Sequence, residues 1–467
     1  MTIRSSRRTL LSVGAATIAL TSIGRVKAAD DTDVIVIGAG LSGLHAAQIL
    51  EASGLSVTVI EADNRIGGRV RTLSDKPEKP ESGGSEVGAL YARVRDQAQR
   101  FNLELRPWQV ERLEFALNIG GELISPKDWP SSPKNTLPEA MRKFPPMAVN
   151  TAFLPKESGL KELDSWLEEA RNTPDPSLYD FYTSKGADEA TMKYLSLSNQ
   201  ADSLKDESLF WALRGQKMLE WGRGSGPFSH VVGGMSKVPL AMAGSLKGNV
   251  VLNMPVEGIA VDDTGATVSC ARGKKFRGRF VVCTLPASVL RTIKLTPGLP
   301  TLQSEAVASL PYGQSTSIFF AIKEKFWDID GLGSSLWTDG VAGRAYNWLV
   351  PNGNYIWMYL TGTVNQKLRK ASDSEALQYA INALHQARPS TKGRIEPIAV
   401  VNWSTNPWSR GTFAYRRPGQ IAKYGNIAAA THARLHFAGE HTAVLQSGLE
   451  GAMESGERAA MEVLDKV

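Results

Sequence analysis

The chain has 467 residues, 42% of them hydrophobic and 21% charged, a soluble globular composition with length enough for two domains. Its formal charge of +6 sits largely in the first 28 residues, which hold Arg4, Arg7, Arg8, Arg25, Lys27 and no acid. The rest is near neutral, which removes the electrostatic case for a nucleic-acid partner.

The leader has a basic start (Arg4 to Arg8), an apolar run from Leu10 to Ile23, and a small-residue cleavage pattern at Val26-Lys27-Ala28. A run of 14 residues falls short of the ~20 needed to cross a bilayer. Arg7-Arg8 ahead of Thr9-Leu10-Leu11 resembles a twin-arginine signal, the export route for proteins that fold before crossing; an ordinary secretory signal is the alternative. The expectation is a mature chain starting near Ala29 in the periplasm, with no stable membrane insertion.

Asp33 to Gly38 is a continuous apolar run of strand length, the pattern of a buried parallel strand. Gly38-x-Gly40-x-x-Gly43 follows, then Leu44 to Ala52 with helical spacing, Gly54 as a stop, and a second buried strand from Ser56 to Glu61. Helices are predicted at Gly159–Ala170, Ala187–Leu197 and Ser374–Ala387, and strands at 250–252, Ala266–Ala271, Phe276–Leu285, Ser317–Ile322 and Tyr355–Thr361. The chain closes with a strand from Leu435, a turn, and a helix from Gly451 to Val463. Cys270 and Cys283 lie in strand-like apolar runs and are expected as buried free thiols. No His/Cys cluster has metal-ligand spacing, so no metal is expected.

The first glycine motif gains its meaning from context. It follows a strand, opens a helix, and precedes Glu61 at the end of the next strand. Gly38 suits the tight turn, Gly40 the approach of a pyrophosphate, and Gly43 close helix–strand packing. The helix N-terminus presents unpaired N–H groups to phosphates, and Glu61 can accept from a ribose diol. Two further glycine-rich elements come next: Ile66-Gly67-Gly68-Arg69, whose arginine suits a charge-assisted phosphate contact, and Gly83-Gly84-Ser85-Glu86-Val87-Gly88. Near the end stand Phe437-Ala-Gly439-Glu440-His441-Thr442 and Gly448-Leu449-Glu450-Gly451-Ala452.

Together these elements resemble the flavin-containing amine oxidase family, which includes monoamine and polyamine oxidases, L-amino-acid oxidases and bacterial nicotine oxidases. Blocks at 231–239, 310–313 with 323–327, and Trp403-x-x-x-Pro407-x-Ser409-x-Gly411 agree with it in order. The resemblance implies an α/β fold: a Rossmann-type FAD-binding domain (29–105, 226–300, 405–467) interleaved with an α+β substrate-binding domain (106–225, 301–404), after a signal peptide over 1–28. It implies that FAD is contacted by Gly38, Gly40, Ser42, Gly43, Glu61, Gly68, Arg69, Gly84, Ser85, Val256, Gly439, Glu440 and Leu449, with Trp403 backing the isoalloxazine. A cofactor loaded in the cytoplasm also supplies the reason for folded export.

Four departures from the family pattern shape the functional reading. Thr412 replaces the cysteine that tethers flavin in monoamine oxidases, so FAD is expected to be non-covalent. Phe413 fits one ring of the family's aromatic cage, but Ser447-Gly448-Leu449 has no ring for the other. Tyr91 stands where amino-acid oxidases carry an arginine for the substrate carboxylate. Ser317 replaces the lysine near flavin N5. The expected reaction is oxidation of an amine C–N bond to an imine by hydride transfer to flavin N5, then hydrolysis, with Ser317, Phe413 and Trp403 at the reacting centre and Tyr91, Phe413 and Gly448 against the substrate. The expected electron acceptor is a periplasmic carrier such as a c-type cytochrome, otherwise O2. An L-amino-acid oxidase (using Arg344 or Arg410), a desaturase acting on C–C bonds, and a non-catalytic flavin-binding module are the alternatives.

Overall fold

A computed structural model describes residues 31–108, 114–199, 201–350 and 353–467. The leader, with its twin-arginine and cleavage-site reading, lies outside the described residues.

Strand β1 (Asp31–Ile37) is apolar without alternation from Val34 to Ile37, because both of its faces are covered there. Val34 and Val36 pack with Leu44, Ala47 and Val463, while Ile35 and Ile37 pack with Ile60, Val281 and Phe437. Helix α1 (Leu41–Ala52) leads from β1 to β2 (Val57–Ile60), which lies parallel to β1. The strand Lys275–Cys283 flanks β1 on the other side, and Val250–Val251 and Leu435–Phe437 extend the parallel array in each direction. The first half of Lys275–Cys283 also pairs antiparallel with Ala266–Cys270, which continues to Val256–Val261 and Lys294–Thr296. Parallel strands from three distant stretches of chain therefore end side by side, at Ile37, Ile60, Cys283 and Phe437. That edge is where open α/β sheets bind ligands.

A second, seven-stranded sheet runs in the order Ile395–Asn402, Ser315–Ile322, Gly353–Thr361, Arg344–Val350, Ser335–Thr338, Phe115–Ile119, Glu122–Ile124. Its central strands alternate strictly. Ile318, Phe320, Ile356, Met358 and Leu360 pack against Ala376, Ala380 and Leu384 of the helix Asp373–Ala387. Ser315, Ser317, Trp357 and Tyr359 face the other way, into a cavity shared with the first sheet. The two sheets draw their strands alternately along the chain, the interleaving expected from its ends.

The predicted helix at Gly159–Ala170 is shorter than expected: only Trp166–Asn172 is helical. Gly159 has φ +75°, off the helical path, and the apolar spacing serves a turn whose Leu160 shares a buried cluster with Trp166. Cys270 and Cys283 are buried free thiols. Among the described residues no helix is long and apolar enough to cross a membrane.

Candidate active site

A cavity of about 490 Å³ lies between the two sheets, at the ends of the parallel strands. At one end, β1 delivers Gly38 with φ +104°, where an added Cβ would stand 2.5 Å from Thr284 Oγ1. Gly40 caps α1 without any side-chain bond, and a Cβ there would meet nothing within 4 Å. The first turn of α1 thus turns its N–H groups to open space, as an anion site requires. A Cβ on Gly68, at φ +56°, would stand 3.4 Å from Gly40 Cα.

Glu61 ends β2 with its carboxylate accepting from Ala39 N at 2.7 Å and Asp63 N at 2.9 Å, and burial raises its pKa. Val256 and Met254 line the same end. A second helix, Gly448–Leu464, also begins at the cavity without a side-chain cap, and Gly448 and Leu449 form part of the wall. Ser455 Oγ joins these starts, accepting from Gly439 N at 2.8 Å and lying 3.3 Å from Ser42 Oγ. Two uncapped helix N-termini, a ribose-type carboxylate and glycine-floored turns fit a dinucleotide.

Two expected contacts differ in the structure. Gly43 is not on the wall: a Cβ there would lie 2.0 Å from Gly38 O, so this glycine serves packing behind the cavity. Arg69 lines the cavity, but Nη1 donates to Glu440 Oε1 at 2.8 Å and Thr412 O at 2.7 Å. Its charge is balanced within the protein, and its first role is to join three loops. Glu440 also accepts from Ala414 N at 3.2 Å.

The other end is aromatic. Trp403 is buried on the wall, its indole N–H donating to Ser82 O at 2.6 Å. Phe413 projects beside Gly313, and Thr412 Oγ1 donates to Gly313 O at 2.8 Å. Tyr91 meets Phe228 edge to face, with centroids 6.4 Å apart. The reading of Phe413 as half of a cage left no ring opposite it at 447–449. Gly448 does line the wall, yet the second sheet adds Trp357 and Tyr359, 5.0 Å apart between centroids. Ser317, 2% exposed, is the cross-strand partner of Tyr359 and lies on the same wall. The rings at 355, 357 and 359 recur at every second position, the signal that could have found them.

Arg344 is committed elsewhere, with Nη2 on Thr361 Oγ1 at 2.8 Å and its guanidinium 5.5 Å from the Tyr359 centroid. Arg410 does line the cavity, with an exposed side chain. Sequence reasoning also missed Glu86. It lines the aromatic end, has no hydrogen bond or ion pair among the described residues, and burial pushes its carboxyl up to about 7.

A family model for flavin containing amine oxidoreductase matches residues 41–464. The chain belongs to this family. Its relatives include an L-amino-acid oxidase of Siganus canaliculatus, 26% identical over 92% of this chain and 85% of that one. The human flavin-containing amine oxidase B is 28% identical over 92% of this chain and 86% of its own length. The fold is similar to that of cyclohexylamine oxidase from Brevibacterium oxydans, with a TM-score of 0.77, 21% identity, and 93% and 99% of the two chains covered. Putrescine oxidase has a TM-score of 0.77 at 21% identity, covering 93% of this chain and 99% of that one. This amine oxidoreductase is a flavoenzyme that oxidises C–N bonds, and the glycine-floored end of its cavity suits FAD.

Proposed function

We propose that this enzyme holds FAD non-covalently, oxidises an amine that lacks an α-carboxylate, and serves as a periplasmic dehydrogenase exported by the twin-arginine route. FAD, when bound, supplies the two-electron acceptor for the hydride equivalent leaving the amine's α-carbon. The chain's residues provide the rest. Gly38, Gly40, Ser42, Glu61, Gly68, Gly84, Ser85, Val256, Gly439, Glu440 and Leu449 form the cofactor cradle, while Gly43 and Arg69 brace it. Thr412 offers a hydroxyl already bonded to Gly313 O and no thiol for a tether. Trp403, Phe413, Trp357, Tyr359 and Tyr91 exclude water around the reacting carbon, where burial favours neutral groups over charged ones. The two sheets support the domain boundaries given above.

The observation that carries the substrate class is the wall around Tyr91. It has rings and a carboxylate, the cavity's Arg69 is already paired with Glu440, and an unpaired substrate carboxylate buried there would cost several kcal/mol. An amino-acid oxidase is the second reading, and Arg410, on the wall with no ion pair among the described residues, favours it. Ser317 supplies a hydroxyl and no charge where oxidases of the family place a lysine, which supports a carrier such as a c-type cytochrome over O2 as acceptor.

One stopped-flow series tests these readings. Anaerobic enzyme is mixed with amines and with L-amino acids, and the reduced enzyme is then mixed with air-saturated buffer. Reduction by amines and slow reoxidation are expected. Faster reduction by amino acids, lost in Arg410→Ala, overturns the substrate class, and reoxidation as fast as turnover overturns the carrier.

A further inference from the structure

Between the glycine turn at 83–84 and the helix Ala92–Arg100, the chain crosses the aromatic end of the cavity. Val87 pairs with Ser229 and is 0% exposed in the core, so the alternation turns its neighbour Glu86 toward the cavity wall. The charged groups on the elements that flank Glu86 are bonded elsewhere, and Arg410, which lines the same cavity, is exposed. On the following helix, Arg93 donates to Glu450 Oε1 at 3.1 Å and pairs with Glu457, and Arg95 Nε donates to Gly88 O at 2.9 Å. His230, on the strand beside Val87, has its Nδ1 3.3 Å from Ser85 O, and burial keeps its pKa low. Tyr91 is pushed up to about 12, by burial first and then by the charges of Glu86 and Glu450. On the facing sheet Arg344 lies over Tyr359 and is bonded to Thr361. Arg69 is paired with Glu440.

The chain therefore lines this end with a carboxylate and gives it no partner of its own. Phe228, Tyr91, Trp357 and Tyr359 line the same cavity, Tyr91 close enough to feel the charge of Glu86, and ring faces attract cations. A carboxylate among rings is a site for an ammonium ion. We propose that Glu86 receives the substrate's ammonium group in the cavity and takes its N–H proton, presenting the neutral amine for oxidation. The proton passes from nitrogen to a carboxylate oxygen, and the electron pair of the broken N–H bond remains on nitrogen as the lone pair that oxidation requires. In water the transfer runs uphill, since amines hold protons more tightly than carboxylic acids. Burial reverses the order by favouring the neutral pair over two charges. The carboxyl held up at about 7 is consistent with that. The inference rests on the amine-oxidation reading.

The test uses FAD-loaded enzyme and its Glu86→Gln and Glu86→Asp variants. Alkyl and aryl ammonium ions, each with its alcohol counterpart, are titrated anaerobically, reading both perturbation and reduction of the flavin absorbance. Glu86→Gln is expected to weaken ammonium ions by about 10- to 100-fold and to leave the alcohols within about two-fold. Glu86→Asp keeps the charge and is expected to recover part of the loss. In the wild type, flavin reduction should rise with pH through about 7 as Glu86 ionises, and this limb should be absent from the Gln variant. Flavin content and thermal midpoint report folding of each variant. Equal loss for ammonium ions and alcohols, an unchanged acid limb, or wild-type enzyme indifferent to every ammonium ion overturns the proposal. Amines that reduce wild type and Glu86→Gln alike sink Glu86 and spare amine oxidation. Ammonium binding that depends on Glu86 without any flavin reduction does the reverse.

Discussion

Gly40 and Gly43 stand three residues apart in one motif, yet the structure gives them opposite constraints. A Cβ on Gly43 would press on the Gly38 carbonyl at 2.0 Å, a backbone atom that cannot swing aside. A Cβ on Gly40 meets nothing within 4 Å, because the space before it is the cavity. Gly43→Ala is expected to cost at least about 2 kcal/mol in apoprotein and holoprotein alike, by overpacking. Gly40→Ala is expected to leave apoprotein stability within about 0.5 kcal/mol while lowering flavin retention, since its methyl stands where the pyrophosphate approaches. Thermal unfolding of both forms and the flavin-to-protein absorbance ratio check this, and identical behaviour of the two variants would refute it. The motif was legible in the sequence, and so was its division of labour, with Gly40 left open for a pyrophosphate and Gly43 kept for helix–strand packing. Glu86 was on the page as part of a glycine-rich run, and only the pairing of Val87 with Ser229 shows which way it faces.

At the scale of elements, patterns backed by local contacts held best. The predicted helix from Ser374 is Asp373–Ala387, and its start is a capping box: Glu375 N donates to Ser372 Oγ at 3.3 Å, and Ser372 N to Glu375 Oε2 at 2.8 Å. Such a reciprocal pair is local, so four residues suffice to specify it. This helix covers the face of the second sheet opposite the cavity. Ser372→Ala should therefore lower stability in urea by about 1 kcal/mol. The amine concentration giving half-maximal flavin reduction should stay as in wild type. A change in that concentration would mean that the helix reaches the site. The first half of the stretch 159–170 failed as a helix because its apolar spacing answers a turn that packs Leu160 with Trp166, a tertiary demand that imitates a helical period. The aromatic face of Gly353–Thr361 was visible as alternation, but which sheet face meets the cavity depends on what packs behind it.

At the scale of the molecule, the cofactor end of the cavity is assembled from β1, the 66–69 turn, the strand start at 256 and the turn at 439–440, and the 412–413 segment joins it from the aromatic end. Segments so distant in sequence are joined at the cavity by bonds such as Arg69 to Glu440 and Thr412. A ligand that touches all of them should stabilise the whole fold by linkage. Acid denaturation is expected to leave FAD in the supernatant. Removing FAD should lower the thermal midpoint, and about 100 Kd of added FAD should restore about 2.7 kcal/mol. Yellow colour retained in the acid pellet, or a midpoint indifferent to added FAD, would contradict non-covalent binding. The sequence by itself determined the βαβ unit, the cofactor class, the family and the positions of Thr412 and Ser317, because each depends on residue types at short spacings. Tertiary structure alone decided that Arg69 is neutralised by Glu440, that Arg344 is spent on Thr361, that Trp357 and Tyr359 complete the aromatic wall, and that Glu86 stands unpartnered among the rings. Those are contacts between residues far apart in the chain, and whether a charge is paired or a ring faces a cavity depends on neighbours that only folding supplies.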